Sequence, residues 1–200
     1  AIIDDWTHGT GLARIMELVD IETELPIDIV VCQALPKSPE RLEQVLQHGT
    51  ELGAAAFLVF AGDRSVAKLE TPDKVNKRLE RWNSIIRSSA EQSGRAVLPP
   101  ISWHPNLKAV IQTVQLPLLV LHEEADTPLR SVVKSVISSS RGLALIVGPE
   151  GGLSPAEVTA CRSNAGTAIS LGPRILRTET AALAAIAQLS YALENENDNH

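Results

Sequence analysis

From residue 27 onward, short aliphatic runs alternate with longer segments in which apolar residues recur at helical spacing. The runs have the length of buried strands, and the longer segments have the period of amphipathic helices. The predicted strands cover residues 27–35, 55–60, 98–103, 118–122, 143–148 and 168–172. The predicted helices cover residues 39–52, 72–93, 105–115, 128–139, 155–164 and 179–194. This alternation predicts an α/β fold in which a mostly parallel sheet carries helices on both faces.

The predicted helix boundaries carry local signals. Four helices begin with a hydroxyl residue followed by proline: Ser38-Pro39, Thr71-Pro72, Thr127-Pro128 and Ser154-Pro155. We expect each hydroxyl to cap free backbone amides and each proline to occupy the first turn, where no amide partner is lost. Glu157 follows Ser154 by three residues and completes a capping box. Gly53, Gly94 and Gly166 stand where three of the helices should end.

Residues 1–24 do not share the alternation. Asp4-Asp5-Trp6, the nearby glycines Gly9 and Gly11, and the segment 12–19 predict one or two strands of a separate small β unit. That unit is too short to bury a core, so we expect a fragment of a larger N-terminal domain. The chain opens at Ala1 without a signal-peptide pattern, which suggests a processed or trimmed product, and we expect residues 194–200 to fray.

The composition sets limits on the class of protein. Of 200 residues, 44% are hydrophobic and 21% are charged, which excludes a disordered chain and supplies a core for one domain. No apolar run approaches the ~20 residues of a membrane-spanning helix. Cys32 and Cys161 are far apart in the sequence and indicate buried free thiols of a cytoplasmic protein, with a single disulfide as the alternative.

The net charge of −6 hides an uneven distribution. Residues 1–61 hold three basic and ten acidic side chains, whereas residues 62–95 hold eight basic and five acidic ones. The basic block is either the solvated face of an amphipathic helix or a surface that faces phosphate. The overall acidity argues against a nucleic-acid partner, and the block argues for one, so composition leaves both open.

Three strand ends carry unusual loops, on the side of a parallel sheet where ligands bind. The first, residues 148–154, has the sequence Gly-Pro-Glu-Gly-Gly-Leu-Ser, which allows a ligand close to the backbone. The loop lacks the pattern of a P-loop or a dinucleotide site, and the alternative is a tight turn. Two adjacent glycines and a glutamate exceed what a turn needs, which favours a ligand.

The second loop follows the next strand and leads into an alanine-rich helix. Ile175 and Leu176 would be exposed in a plain turn, so we expect them to form a pocket wall facing the first loop. Arg177 is either an ion-pair partner of Glu179 or Glu150, or a donor to an anionic or polar ligand. The third loop holds His122, Glu123, Glu124 and Asp126; a metal site is conceivable, but the spacing favours a pocket wall and no metal.

These motifs bear a specific resemblance. Leu145-Ile-Val-Gly-Pro-Glu-Gly-Gly-Leu-Ser154 and Leu171-Gly-Pro-Arg-Ile-Leu-Arg-Thr-Glu-Thr-Ala181 resemble the RsmE family, the 16S ribosomal RNA uracil-N3 methyltransferases of the SPOUT superfamily. Supporting matches are Thr50-Glu51-Leu52-Gly53, Arg64-Ser65-Val66, Arg81-Trp82 and Ala90-Glu91-Gln92-Ser93-Gly94-Arg95. The resemblance spans about residues 25–193. One departure is Gln47-His48-Gly49, where the family usually has a lysine and an alanine.

The resemblance implies a fold and a cofactor. Residues 25–200 would form the SPOUT methyltransferase domain, with a deep trefoil knot over about residues 142–190, and residues 1–24 would be the remnant of a PUA-like RNA-binding barrel. The family binds S-adenosyl-L-methionine in the knotted loops and forms homodimers, for which the alanine-rich final helix is a plausible seam. The implied cofactor-binding residues are Leu121, His122, Gly148, Glu150, Gly151, Gly152, Leu171, Gly172, Ile175, Leu176 and Thr180.

The chemistry of the implied reaction assigns further roles. Methylation of uracil N3 requires loss of a proton, so Arg177 is expected to stabilise negative charge on the uracil carbonyls, and Glu179 or Glu150 to assist proton removal. Arg64, Arg81, Arg87 and Arg95 are the candidate phosphate contacts to 16S rRNA in the 30S subunit. The alternatives are a SPOUT methyltransferase acting on another RNA or atom, and a non-catalytic knotted dimer that binds RNA.

Overall fold

The computed structural model of the protein describes residues 2–7, 10–17, 23–69 and 71–197. Its strands are β1 (Ile2–Thr7), β2 (Thr10–Arg14), β3 (Asp28–Ala34), β4 (Ala56–Phe60), β5 (Ile101–His104), β6 (Leu118–Leu121), β7 (Gly142–Val147) and β8 (Thr167–Ile169). Its helices are α1 (Pro39–Glu51), α2 (Pro72–Ser93), α3 (Leu107–Thr113), α4 (Leu129–Ser139), α5 (Pro155–Ser163) and α6 (Thr178–Asn197). All six predicted strands and all six predicted helices are therefore present.

The main sheet has six strands in the order β5-β4-β3-β7-β6-β8, and every neighbouring pair is parallel. Side chains alternate across it: Ile29 and Val31 of β3 pack on one face with α1, α2, α4 and α6, whereas Cys32 and Ala34 pack on the other with α3 and α5. The central strand β7 is buried along its whole length. The predicted parallel α/β sheet with helices on both faces is confirmed.

The first two strands form a unit of their own. β1 and β2 pair antiparallel in a separate two-stranded sheet, as the residues before position 24 predict. Residues 8–9 and 18–22, which include the end of the predicted 12–19 segment, lie outside the described residues. At the other end α6 continues to Asn197, three residues beyond its predicted end, and the expected fraying of residues 198–200 lies outside the described part.

Two helix starts are as predicted, and two are not. Ser154 forms the full capping box with Glu157, and the Thr71 hydroxyl accepts from the Lys74 amide. Ser38 makes no cap hydrogen bond, because its hydroxyl donates to the Glu40 carboxylate instead. At the fourth site α4 begins after Pro128 rather than Thr127.

The cause of the Thr127 difference is a contact from far along the chain. The Ser170 amide donates to the Thr127 carbonyl (2.8 Å), and the Leu129 amide donates to the Ser170 carbonyl (3.0 Å). These two bonds hold residues 127–129 extended beside the end of β8, so the helix can begin only at Leu129. Similarly, β5 begins at Ile101 because Pro99 and Pro100 have no amide hydrogen to donate to a ladder.

The three glycines predicted to end helices have different roles in the structure. Gly94 is the left-handed C-cap of α2, with φ of 70°, and Gly53 follows the C-cap of α1 with φ of 91°. At α5 the left-handed residue is Ala165, with φ of 58°, rather than Gly166. Gly166 is instead required by close approach, since a Cβ there would lie 2.7 Å from the Cys161 carbonyl oxygen.

Both cysteines are free and buried, as predicted. Burial raises the pKa of Cys32 far above its usual range and raises that of Cys161 to about 11. Neither side chain is therefore a nucleophile at neutral pH. Among the described helices, none combines the length and apolar character needed to cross a membrane.

Candidate functional site

A cleft of about 1040 Å³ opens beyond the carboxyl ends of β6, β7 and β8. Its walls are the loops after these three strands and one side of α5, together with Arg41 of α1 and Arg64 of the loop after β4. The two glycine-containing loops therefore face each other across one site, as the sequence predicts. The volume suits a ligand larger than a single nucleobase, since drug-sized ligands occupy pockets of roughly 300–1,000 Å³.

The loop after β7 forms a wall that lacks side chains. A Cβ at Gly148 would lie 2.9 Å from the Gly152 carbonyl carbon and from the Leu153 nitrogen, closer than backbone atoms allow. Gly152 has φ of 69°, and its amide donates to the Pro149 carbonyl (2.9 Å). Glycine is thus required at position 148 by close packing and at position 152 by backbone conformation. Together they expose a tight turn of main chain to the cleft.

The loop after β8 supplies the facing wall. Gly172 begins it with φ of 117°, and Leu171, Ile175 and Leu176 line the cleft. Ile175 is 83% exposed, which is unusual for an isoleucine and leaves an apolar surface at the cleft. The Arg177 side chain also lines the cleft, and its guanidinium makes no hydrogen bond or ion pair with any described residue. It is the predicted donor, and it is available to a ligand.

A buried polar chain joins the two walls. Thr178, the first residue of α6, donates its hydroxyl hydrogen to the Gly148 carbonyl (2.6 Å). The Gln33 side-chain amide donates to the Thr178 oxygen (2.9 Å) and to the Ala34 carbonyl (3.0 Å). Gln33 is 1% exposed at the end of β3, so this chain connects three elements below the floor of the cleft. The arrangement fixes the loop after β7 relative to α6.

Glu150 is held by α1 and the residues before it rather than by Arg177. The Lys37 amide donates to both Glu150 carboxylate oxygens (3.1 Å each), and Arg41 Nη1 lies 3.2 Å from Glu150 Oε1. Arg41 Nε also lies 3.9 Å from Glu179 Oε2. Arg41 therefore pairs with both glutamates that the sequence offered as partners of Arg177.

The position of Glu179 differs from its predicted catalytic role. The residue is 8% exposed and does not line the cleft; its side chain points to Arg41 of α1. Gly151 and Thr180, two predicted cofactor contacts, also lie outside the cleft lining. The other predicted cofactor residues do line it: Leu121, His122, Gly148, Glu150, Gly152, Leu171, Gly172, Ile175 and Leu176.

The four predicted phosphate contacts have different environments. Arg64 lines the cleft and donates to the Gly151 carbonyl (2.9 Å), and Arg87 is exposed and has no hydrogen-bond or ion-pair partner among the described residues. Arg81 is exposed but forms two hydrogen bonds to Glu43, at 2.6 and 2.7 Å. Arg95 is only 4% exposed and donates to the Thr50 and Ala54 carbonyls and to Glu24. Its guanidinium is thus part of the fold, which leaves no group for a phosphate.

The loop after β6 forms the third wall, as predicted. The His122 amide donates to the Ile169 carbonyl (3.1 Å), and its Nδ1 accepts from the Glu124 amide (3.3 Å). These bonds orient the ring within the loop. In the part of the chain that the structure describes, no group of three or more His, Cys, Asp or Glu side chains could hold a metal ion.

Sequence reasoning missed three groups at this edge of the sheet. Gln33 could have been found as a lone polar residue in an apolar strand, and Asp63 as an acid just beyond the carboxyl end of β4. The Ser154 hydroxyl donates to Asp63 (2.5 Å), which links the loop after β4 to the start of α5. Arg41 carried no local signal, since it is one charge among several on an amphipathic helix.

Comparison with known proteins identifies the family. A family model described as an RNA methyltransferase domain matches residues 23–190. The chain is 38% identical over 186 residues to the ribosomal RNA small subunit methyltransferase E of Bacillus subtilis, covering 90% of this chain and 72% of that protein. This chain belongs to the ribosomal RNA small subunit methyltransferase E family.

Solved structures agree with this family assignment. A putative methyltransferase from Legionella pneumophila, Lpg2936, was solved with bound S-adenosylmethionine and is 32% identical, with a TM-score of 0.84 over 95% of this chain and 76% of that one. The ribosomal RNA small subunit methyltransferase E of Neisseria gonorrhoeae, also bound to S-adenosyl methionine, is 31% identical, with a TM-score of 0.75 over 85% of this chain and 68% of that one. The resemblance seen in the two loop motifs is therefore confirmed.

Proposed function

We propose that this methyltransferase E family member transfers a methyl group from S-adenosyl-L-methionine to N3 of a uridine in 16S rRNA of the 30S subunit. The observation that carries the proposal is the cleft, where a glycine wall faces the guanidinium of Arg177, which pairs with no described residue. Backbone groups on one side suit a small cofactor, and the cation on the other suits a substrate that becomes anionic. The binding of S-adenosylmethionine by the Legionella and Neisseria proteins supports the cofactor.

The residues at the cleft fit S-adenosylmethionine. A Cβ at position 148 would collide with the loop's own backbone, so the wall is kept free of side chains and open to a ligand with its own polar groups. Leu121, Leu171, Ile175 and Leu176 would hold the apolar parts of the cofactor. When bound, the cofactor supplies a methyl group on a sulfonium, which needs no metal for transfer.

Arg177 serves the uracil rather than the cofactor in this proposal. N3 attacks as an anion or as a nitrogen losing its proton, and the negative charge then spreads to the two flanking carbonyl oxygens. A guanidinium donor placed beside these oxygens stabilises the charge where it develops, as in an oxyanion hole. Because Arg177 forms no ion pair with any described residue, its charge is not already neutralised.

Neither of the two glutamates expected to assist proton removal is assigned as the base. Glu150 is bound by the Lys37 amide and Arg41, and Glu179 faces Arg41 outside the cleft. Both carboxylates have positioning roles in this proposal: Glu150 anchors the glycine loop to the segment before α1, and Glu179 anchors the start of α6. The proton of N3 then passes to solvent, and Arg177 lowers the free energy of the uracil anion that remains.

The fold suggests the knot. β7 lies between β3 and β6, whereas the following strand β8 pairs with the far side of β6. The chain then returns, because Thr178 reaches the Gly148 carbonyl at the end of β7. We propose that this return threads residues 142–190 through a trefoil knot.

Two further assignments complete the proposal. Ile175 at the cleft and Tyr191 on α6 are 83% and 70% exposed, and we propose that they meet a second copy in a homodimer. Sedimentation velocity would show a dimer, which Tyr191→Asp should weaken. We propose also that residues 1–24, with the separate hairpin β1–β2, belong to a PUA-like unit that grips RNA.

The decisive experiment is methyl transfer to 30S particles that lack the modification. Labelled S-adenosylmethionine and digestion to nucleosides should give N3-methyluridine, whereas a ribose-methylated product would contradict the proposed atom. Arg177→Ala should lower transfer by about 10²–10³-fold, with little change in cofactor affinity. Arg130→Ala, on the exposed side of α4, is the matched control and should transfer like the wild type. Transfer by Arg177→Ala at the wild-type rate would remove the role proposed for this residue.

A further inference from the structure

A second cavity lies beside the cleft, beyond the carboxyl ends of β4 and β5. It has a volume of about 330 Å³, and its wall includes Trp103, Lys68, Asp63 and Ser65. We call it the Trp103 pocket. The roles proposed for the cleft do not use it.

A single turn separates the Trp103 pocket from the cleft. Arg64 lines the cleft and donates to the Gly151 carbonyl, while its chain neighbours Asp63 and Ser65 line the Trp103 pocket. Because consecutive Cα atoms are about 3.8 Å apart, residues 63–65 form a wall that the two cavities share. A ligand in one would therefore be next to a ligand in the other.

The turn between the cavities is rigidly held. The Ser65 hydroxyl accepts from the Gly62 amide (3.1 Å) and donates to the Leu35 carbonyl (2.8 Å). The Asp63 amide donates to Glu157 Oε1 (3.0 Å), and Asp63 Oδ2 accepts from the Ser154 hydroxyl. These bonds tie the turn to β3 and to α5, so the wall of the Trp103 pocket exists before any ligand binds.

The side chains of the pocket suit one part of an RNA chain. Trp103 is half-buried, packs against the core and lines the cavity, and an indole is a stacking surface for a nucleobase. Lys68 is exposed at the same cavity and suits a phosphate. Asp63 uses one oxygen for Ser154, and its other oxygen can accept from a base amino group. The acid excludes a phosphate from its own side and so orients the nucleotide.

We propose that the Trp103 pocket holds a nucleobase adjacent to the methylated nucleotide, and that this base carries an amino group. The inference rests on the RNA substrate of the proposed function. Stacking on Trp103 keeps the neighbour in place while the target base enters the cleft. Asp63 favours cytosine, adenine or guanine over uracil, because uracil has no amino group to donate.

Binding of short RNA tests the pocket independently of methyl transfer. The probes are two fluorescein-labelled single-stranded octaribonucleotides, one of cytidines around a central uridine and one of uridines only, measured by anisotropy. We expect the cytidine probe to bind more tightly by at least about 5-fold, and Asp63→Ala to abolish this preference. Trp103→Leu should weaken binding of the cytidine probe by about 5- to 100-fold, and Trp103→Phe should restore most of it, because phenylalanine still stacks.

The remaining variants separate the pocket from other effects. Lys68→Gln should reduce the slope of log affinity against log salt by about 1, whereas Lys108→Gln on α3 should leave it unchanged. All variants should bind S-adenosylmethionine like the wild type, since none lines the cleft. Should Trp103→Leu fail to fold, the Asp63→Ala and Lys68→Gln results decide alone, because both side chains are exposed.

Methyl transfer distinguishes failure of the pocket from failure of the proposed function. If the wild type methylates 30S particles and Trp103→Leu binds each probe as tightly as the wild type does, the Trp103 pocket is not a nucleobase site. If the wild type transfers no methyl group to 30S particles, the proposed function fails, whatever the probes show. A raised KM for 30S with unchanged kcat in Trp103→Leu supports the pocket, and unchanged values of both overturn it.

Discussion

The Thr178 hydroxyl lies 2.6 Å from the Gly148 carbonyl oxygen, to which it donates a hydrogen bond. This bond joins the start of the last helix to the end of the central strand β7. The Gln33 side-chain amide supports it from β3 through a buried hydrogen bond to the Thr178 oxygen. The walls of the cleft are therefore attached to each other through one hydroxyl group.

Replacing this hydroxyl should destabilise the protein. Thr178→Val keeps the shape but leaves the Gly148 carbonyl without its donor and Gln33 without one acceptor, at a cost of about 1–3 kcal/mol. Urea denaturation would measure this loss, and calorimetry should show weaker binding of S-adenosylmethionine. Thr113→Val, at an exposed position near the end of α3, should change stability by less than about 0.5 kcal/mol. Equal stability of the two variants would contradict the role of Thr178.

The glycines of the loop after β7 should differ in their tolerance of a methyl group. Gly148→Ala places a Cβ 2.9 Å from the backbone of Gly152 and Leu153, so the loop must move and cofactor affinity should fall at least about 10-fold. Gly151→Ala meets only the Arg64 side chain, at 3.4 Å, and should bind within about 3-fold of the wild type. Calorimetric titration of both variants with S-adenosylmethionine measures the contrast. A loss as large in Gly151→Ala would mean that position 151 contacts the cofactor directly.

Arg95 should behave as a residue of the fold rather than of the RNA surface. Arg95→Met removes donors to the Thr50 and Ala54 carbonyls, which lie 3.0 and 2.8 Å away, and should cost about 2–3 kcal/mol. Arg87→Met should leave stability within about 0.5 kcal/mol but should weaken RNA binding and its salt dependence. Chemical denaturation and filter binding at several salt concentrations measure both effects. If Arg95→Met instead weakened RNA binding without a loss of stability, Arg95 would be a phosphate contact after all.

The Arg95–Glu24 pair should make stability depend on pH. The hydrogen bond from Arg95 holds the pKa of Glu24 below its ordinary value near 4.5, although partial burial opposes this. Since the pKa is lower in the folded state, the pair stabilises the protein at pH values above about 4.5 and is lost as the pH falls through the folded value. Glu24→Gln should therefore be less stable than the wild type at pH 7, and the difference should shrink as the pH falls below about 4.5. Parallel stability curves over this range would contradict the pairing.

Much of the fold could be predicted because its signals are local. The bounds of α2 agree with prediction at both ends, since Thr71, Pro72 and Gly94 act within one turn of the helix. The start of α4 could not be predicted in this way, because Ser170 holds residues 127–129 extended through two backbone hydrogen bonds. Contacts of this kind depend on which strands become neighbours, and a strand's own residues do not encode that choice.

The features of the site can be separated in the same way, into those set by local sequence and those set by tertiary contacts. Local sequence determined that two glycine-containing loops follow consecutive strands and which family the chain belongs to. Only the tertiary structure decided that Glu179 faces Arg41 rather than the cleft, that Arg95 is buried, and that Trp103 lines a second cavity. The physical reason is that composition and spacing set where a strand or a helix forms, whereas the partner of each charged side chain is set by residues as much as a hundred positions away that packing brings beside it.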